Sequence, residues 1–408
     1  MNVVDGSNES TRNDAAVDAD ASGARGQSSA RTMEANACRR ASTSRGTSSS
    51  RSGAVTRRRG RARARARTNG DGDGVSERCA PSEAVVVGAG VIGMSVALAL
   101  AEECGRFERV RVVAERFAEE RGTTSSVAAA FWYPFLTRTD PPERADEWAV
   151  ASFEWFRAMM REDEACGVEM RRCKEFLREP RRPAAWSSSV DYYAPLVAGE
   201  YDETRHCGGY AFDVPVIAMP KFLPWLKRRC ETRGVSFERR RLTSVSELRG
   251  AELVVDCAGL GARELFGDEE IKPIRGQVVY LDQDCGEGLF DDDPEALAYL
   301  IPRRGEFGTV LGGTAQVNDF NLDPDPADER DIVAKCSKLW PQLDPSRIIG
   351  TNVGLRPSRS VVRCELDADA SDAENFNLIH CVGHGGAGVT LCRGSALEVV
   401  DIVDALYE

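Results

Sequence analysis

Residues 84–105 read AVVVGAGVIGMSVALALAEECG, and this stretch decides the fold. A short β-branched run leads into a glycine turn and then an apolar, helix-like segment. RVRVVAERF (109–117) supplies a second strand that ends at Glu115. Together they make a β–α–β unit with Gly88, Ala89, Gly90 and Gly93 in its first turn. The spacing has a physical cause. Gly88 permits the tight turn, Gly90 lets a pyrophosphate approach the backbone, and Gly93 lets helix and strand pack closely. The pyrophosphate is expected at the helix N-terminus, where free amides and the helix dipole favour anions. Glu115 lies 22 residues beyond Gly93, where an acid can hold a ribose hydroxyl pair. The unit specifies an adenine dinucleotide without choosing between FAD and a nicotinamide.

Two later segments make that choice. ELVVDCAGLGARELF (252–266) is a buried strand ending in small residues, and NLIHCVGHGGAGVT (377–390) is a strand ending in a second glycine nest. A closing helix, LCRGSALEVVDIVDALY, follows. Between these pieces lie strand-formers rich in aromatics: GGYAFDVPVI, GQVVYLDQ and YLIPRRGEFGTVLGG. The expected fold is α/β, with a discontinuous Rossmann-like FAD-binding domain and an inserted, largely β substrate-binding domain. The expected boundaries are 84–140, 230–275 and 352–408 for the first and 141–229 and 276–351 for the second. A nucleotide domain assembled from separated pieces favours a flavin over a nicotinamide.

Composition narrows the function class. Of 408 residues, 42% are apolar and 29% charged, with 65 acidic against 53 basic side chains and a formal net charge of −12. Residues 1–80 hold 15 Arg, no Lys, 9 acidic residues and no Phe, Trp, Tyr, Leu or Ile. The remainder therefore carries a net charge of −18. Nucleic acid affinity rests on neutralising phosphates with Lys and Arg, so a body this acidic argues against it. No stretch approaches the roughly 20 apolar residues that span a bilayer. The 13 Cys include no C-x-x-C pair and the chain has only three His, so no metal site is expected and the thiols read as reduced.

The leader lacks the large side chains needed to offset chain entropy, and is expected to be disordered. Its Arg- and Ser-rich, acid-poor run from Met33 reads as an organelle transit peptide, with plastid favoured over mitochondrion. The sequence ends Ala-Leu-Tyr-Glu, unlike a Ser-Lys-Leu peroxisomal signal.

Two candidate groups can be read from chemistry. Arg356 and Arg359, in VGLRPSR, lie in a loop-like stretch between two strand-like runs, IIGTNVG and VVRCEL. A planar guanidinium binds a carboxylate through two parallel charge-assisted bonds, which Lys cannot copy. On that ground the two arginines are equal candidates. VAAAFW (127–132) offers small apolar residues suited to close approach of a flat ring, and Gly385–Thr390 form an amide nest suited to negative charge. His384 reads as structural or cofactor-supporting, since no orienting carboxylate accompanies it in sequence.

In VVVGAGVIGMSVAL, AERF, TTSSVAAAFWYPF, VDCAGLGA, IKPIRGQVV, AYLIPR with LGGT, VGLRPSR and GHGGAGVT, taken in order, residues 84–408 resemble the D-amino-acid oxidases and the related D-aspartate oxidases. GLRPxR together with GHGGxGxT is the most specific part. The resemblance implies FAD as cofactor and oxidative deamination of D-amino acids to 2-oxo acids, ammonia and hydrogen peroxide. It implies that Arg359 clamps the substrate carboxylate with Tyr299, leaving Arg356 structural. The Gly386 carbonyl would accept from the substrate amine, and Tyr133 would line the substrate pocket. No side chain is expected to act as acid or base. Gly88–Gly93 (with Val91 and Ile92), Glu115, Arg116, Thr123, Thr124, Ala129, Ala130, Phe131, Leu242, Ala258 and Gly385–Thr390 (with Ala387, Gly388 and Val389) would contact FAD.

Departures from the family pattern bear on specificity. Tyr133 replaces a smaller polar residue, Glu295 and Leu355 stand where aromatics line the pocket, and Ala315 stands where D-aspartate oxidases carry an arginine. Arg303 and Arg304, before Gly305 and Glu306, read as a solvated hairpin tip. Neutral D-amino acids are therefore expected to be better substrates than D-aspartate. The alternatives are a D-aspartate oxidase, a glycine- or sarcosine-type amine oxidase, and, more remotely, a non-catalytic nucleotide-binding protein. Expected partners are a D-amino acid and dioxygen, not nucleic acid or membrane, with a homodimer left open. Because residues 1–80 have no side chains to bury, a chain beginning at Ala84 is expected to fold and hold FAD in equal stoichiometry. Its flavin absorbance and thermal unfolding, compared with the full chain, check this; loss of FAD on truncation alone would contradict it.

Overall fold

Strand β1 (Glu83–Ala89) is the hub of the nucleotide half. Its residues Ala84–Val87 are buried on both faces, as expected of a central parallel strand covered on both sides. In a computed structural model describing residues 82–120, 122–135, 137–293, 297–303 and 308–408, β1 pairs in parallel with β2 (Arg109–Phe117) on one side. On the other it pairs in parallel with β7 (Leu253–Asp256). β6 (Ser236–Arg239) extends the sheet beyond β2, and β14 (Asn377–His384) extends it beyond β7. The strand order reverses across β1, and the crevice at the carboxyl ends of β1 and β7 is where such sheets bind ligands. The expected transit sequence lies outside the described residues.

The sheet continues without a break into the second half. β13 (Ile348–Asp367) runs antiparallel to β14 and to β8 (Lys272–Leu281). Beyond β8 come β11 (Thr309–Gly312), β10 (Ala298–Pro302), β9 (Gly288–Asp291), β3 (Val168–Leu177), β5 (Gly208–Ile217) and β4 (Tyr193–Pro195). The short β12 (Gln316–Val317) pairs with β8. The α/β architecture, with its Rossmann-like part assembled from separated pieces, is thus present.

Five longer helices cover it: α1 (Val91–Ala99), α2 (Glu143–Glu162), α3 (Met219–Thr232), α4 (Pro326–Leu339) and α5 (Gly388–Tyr407). α1 follows β1 directly, has all but one residue buried, and gives way to a π turn stopped by Gly105 at φ 62°. The expected boundaries place α2 in the substrate half and divide α3 at residue 230; both helices pack on the helices of the nucleotide half. Cys230 of α3 donates its thiol to the Met94 carbonyl of α1. Ser152 of α2 accepts from the Arg393 and Gly394 amides of α5. α4 instead backs the second half, its Cys336 thiol facing the Tyr299 carbonyl.

The α2–α5 crossing depends on Gly394, because a Cβ there would sit 2.1 Å from the Trp148 Cα. Gly394→Ala is expected to destabilise the fold by about 1–3 kcal/mol, read as a fall of several degrees in Tm. Gly350→Ala, at a position with nothing within 4 Å, is the control and should leave Tm unchanged.

Candidate functional site: a cavity at the end of β1

The carboxyl end of β1 opens into a cavity of about 750 Å³ that runs from the glycine turn to Tyr299 and Arg356. At its first end the turn is built by contact. Gly88 has φ 107°, and a Cβ there would lie 2.3 Å from the Cys257 carbonyl oxygen. A Cβ on Gly93 would lie 1.9 Å from the Gly88 oxygen. Gly93 is therefore packed behind the turn rather than on the wall. Gly90 caps α1 without a side chain, leaving the helix N-terminus facing the cavity, and the Val91 amide donates to Ser125 Oγ at 3.0 Å. Ala89, Ile92, Glu115, Arg116, Thr123, Thr124, Leu242 and Ala258 lie on the same wall. Behind it, Asp256 accepts from the Ala258 amide and meets His380 Nδ1 at 2.9 Å, which fixes the turn after β7.

At the other end, the strip after Val127 forms one wall. Ala128, Ala129, Ala130 and Phe131 all line the cavity, and Ala130 is held at φ 57°, a strained conformation for a residue with a Cβ. The Ala130 carbonyl accepts from the Ile217 amide, and Trp132 donates its amide to the Pro215 carbonyl. Gly385, Gly386, Gly388, Val389 and Thr390 face the strip across the start of α5, while Ala387 is buried behind them. Thr390 Oγ1 and the Tyr133 backbone exchange reciprocal hydrogen bonds of 3.1 and 3.0 Å, tying strip to nest.

Arg356 and Tyr299 close this end. The Arg356 guanidinium lies over Gly276, where a Cβ would be 2.3 Å from Nη1, and Nη1 donates to the Thr314 carbonyl at 2.9 Å. Tyr299 packs on Gly312 and Gly313, with the Arg356 charge beside its hydroxyl. Burial pushes its hydroxyl up while the Arg356 charge opposes that, so it stays protonated at neutral pH. Gly386 sits beside Arg356, its missing Cβ 3.7 Å from Cδ. Among the described residues Arg356 has no acidic partner.

The structure corrects the choice between the two arginines. Arg359 is not on the cavity wall. Its Nε donates to Asp268 at 3.1 Å and its Nη2 meets Glu270 at 2.7 Å. VGLRPSR is strand rather than loop, and residues an odd number apart on a strand point to opposite faces. The pairing of β13 is also irregular between Ser358 and Arg363, which turns Arg359 away.

Arg303 is a second correction. It is 3% exposed and turned inward, with Nη2 donating to the Ala128 and Ala129 carbonyls. Burial pushes its guanidinium down to about 10, still protonated at neutral pH. Arg304 and Glu295 lie outside the described residues, and Ala315 is exposed and off the wall.

Tyr133 and Leu355 do line the cavity. The Tyr133 hydroxyl donates to Glu175 at 2.5 Å, and Arg181 pairs with the same carboxylate. Burial, first, and then Glu175 push the Tyr133 hydroxyl well up. Phe131, Phe135 and Phe290 complete an aromatic end, with the Tyr133 and Phe290 rings 5.3 Å apart. Phe135 and Phe290 were missed as site residues; Phe290 carries no local signal. Gly276 was also missed, although an isolated glycine inside a strand-like run marks close backbone approach.

The FAD-dependent oxidoreductase family model matches residues 83–402. The chain belongs to the FAD-dependent oxidoreductase (DAO) family. It is 39% identical over 329 residues to the D-amino-acid oxidase of Rubrobacter xylanophilus, covering 79% of this chain and 96% of that protein. It is 33% identical over 324 residues to the human D-aspartate oxidase, covering 78% of this chain and 93% of that one. Among solved structures, glycine oxidase from Bacillus cereus aligns with a TM-score of 0.63 at 19% identity, over 80% of this chain and 96% of that one. The cofactor of this DAO-family protein is FAD, and the cavity fits it. Gly88 and Gly93 let the turn close tightly at the cavity's edge, two helix N-termini face inward, and the buried His384 Nε2 on the wall has no partner among the described residues.

Gly88→Ala places a Cβ into the Cys257 carbonyl at an unfavourable φ. The variant is expected to purify with well under half the wild-type FAD content, measured by flavin absorbance per protein. Full occupancy would contradict the assignment of this turn to the pyrophosphate.

Proposed function

We propose that the protein is an FAD-dependent oxidase of D-amino acids. The observation that carries this reading is Arg356, a guanidinium facing the cavity without an acidic partner among the described residues, beside the Tyr299 hydroxyl and the Gly386 backbone. A carboxylate held by the fork of Arg356 and the Tyr299 hydroxyl would leave its α-amine within reach of the Gly386 carbonyl. Two fixed points at the carboxylate and one at the amine orient the Cα–H of one enantiomer toward the strip side of the cavity. Bound FAD supplies the two-electron acceptor for that hydride and passes the electrons to dioxygen, giving hydrogen peroxide, while the imino acid is hydrolysed to a 2-oxo acid and ammonia. The protein's part is positional, so no general base is needed. The name of the 39% identical relative supports the same reading.

The side chain would point into the aromatic end formed by Phe131, Tyr133, Phe135 and Phe290. Glu175 lies behind it, and the inward Arg303 is engaged with backbone carbonyls rather than placed on the wall. An unpaired second carboxylate there costs several kcal/mol, which favours neutral substrates.

An oxygen-uptake panel of D- and L-amino acids tests this with the FAD-loaded full chain. Neutral D-amino acids should turn over faster than D-aspartate, and L-amino acids should not turn over. Arg356→Lys should lower kcat/KM by roughly 30-fold to several thousand-fold, the effect of truncating a buried charge-assisted pair. Arg359→Lys should change it no more than a few-fold. D-aspartate outpacing D-alanine, D-methionine and D-phenylalanine would overturn the specificity, and the reverse ranking of the two arginines would overturn the clamp.

A further inference from the structure

Among the described residues three arginines are buried: Arg275, Arg303 and Arg393. Arg275 has Asp328 at 2.7 Å and Arg393 has Glu103 at 2.9 Å. Arg303 has no carboxylate among the described residues. Its Nη2 is bound to two carbonyls, and its buried Nε has no partner among the described residues. A desolvated cation without a counter-ion is unfavourable on its own, and its burial is offset only by dipoles or by an anion nearby.

Its position shows which anion. β10 pairs Tyr299 with Gly312 and Ile301 with Val310, and alternation puts Tyr299, Ile301 and the following Arg303 on one face. From there the guanidinium reaches beneath Ala128 and Ala129, whose opposite side is cavity wall. Only one thickness of backbone separates the cation from the space that the strip offers to a flat ring. Arg303 is buried, and a fixed charge acts more strongly in a buried site than in water.

We propose that Arg303 is a positioning residue with an electrostatic role: it holds the Ala128–Ala130 strip by its carbonyls and, through that strip, raises the electron affinity of the bound flavin. Two-electron reduction adds negative charge to the ring system, and the uncompensated guanidinium stabilises that charge. This rests on FAD occupying the cavity with its ring against the strip, and not on the identity of the substrate.

The test is the two-electron midpoint potential of bound FAD, measured by equilibration with a reference dye in the absence of substrate. Arg303→Met removes the charge and keeps the bulk. It should lower the potential by about 30 mV or more, a tenfold change in the reduction equilibrium of a two-electron couple. Arg303→Gln, which keeps a donor to the Ala128 carbonyl, should show the same fall. Arg303→Lys, which keeps the charge but not the fork, should retain most of the wild-type potential. Unchanged potentials in Met and Gln, or an equal fall in all three variants, would overturn the electrostatic role. If only the charged variants retain FAD, the need for a cation stands; loss of FAD in all three would leave a packing role alone and refute the proposal. A wild-type protein that held no flavin would instead refute the cofactor assignment.

Discussion

Strand β13 is the constraint on which the rest of the architecture depends. Its first part, Ile348–Ser358, is laddered to β8, and its last part, Arg363–Asp367, to β14. One strand thereby fixes the nucleotide-binding sheet against the sheet that carries Tyr299. Leu355 and Arg356 sit on it at the point where the ladder passes the cavity. The guanidinium is aimed by two contacts, the bare backbone of Gly276 beneath it and the Thr314 carbonyl. An arginine on a central strand moves only if the sheet moves, which suits the proposed reaction, in which the protein contributes orientation.

Electrostatics complete the design. The body of the protein is strongly acidic, yet the cavity gathers positive potential. The N-termini of α1 and α5 open into it, Arg356 faces it without an acidic partner among the described residues, and Arg303 stands behind one wall. Near the Arg356 end, two carboxylates are occupied elsewhere: Glu175 with Tyr133 and Arg181, Asp268 with Arg359. Anions with a defined shape are therefore drawn to this one place. Dinucleotide phosphates at one end and the proposed substrate carboxylate at the other would suit the same field.

Much of this was legible in the sequence where backbone chemistry forces residue choice. The turn at Gly88, Gly90 and Gly93 tolerates little else, so the β–α–β unit and the nest at Gly385–Gly388 could be read directly. Reading failed where three-dimensional alternation decides. VGLRPSR reads as loop-like in sequence; as continuous strand it sends Arg356 and Arg359 to opposite faces, and Arg356 rather than the expected Arg359 lies on the cavity wall. Arg303 looked like half of a solvated pair, although its spacing from Tyr299 and Ile301 already placed it on their face. Chain order puts α2 in the substrate half, whereas Gly394, on which it packs, lies far away in sequence. Phe290 reaches the cavity only because β9 pairs with β10, which no local pattern shows.

The most direct measurement is anaerobic mixing of the FAD-loaded protein with the D- and L-forms of one neutral amino acid, following the flavin's visible absorbance through a single turnover. Without dioxygen, the D-form should bleach the flavin stoichiometrically and leave it bleached until air is admitted, while the L-form should leave it oxidised. Bleaching by the L-form at a comparable rate, or by neither form in a protein that holds its FAD, would contradict the assignment of this cavity to D-amino acid oxidation.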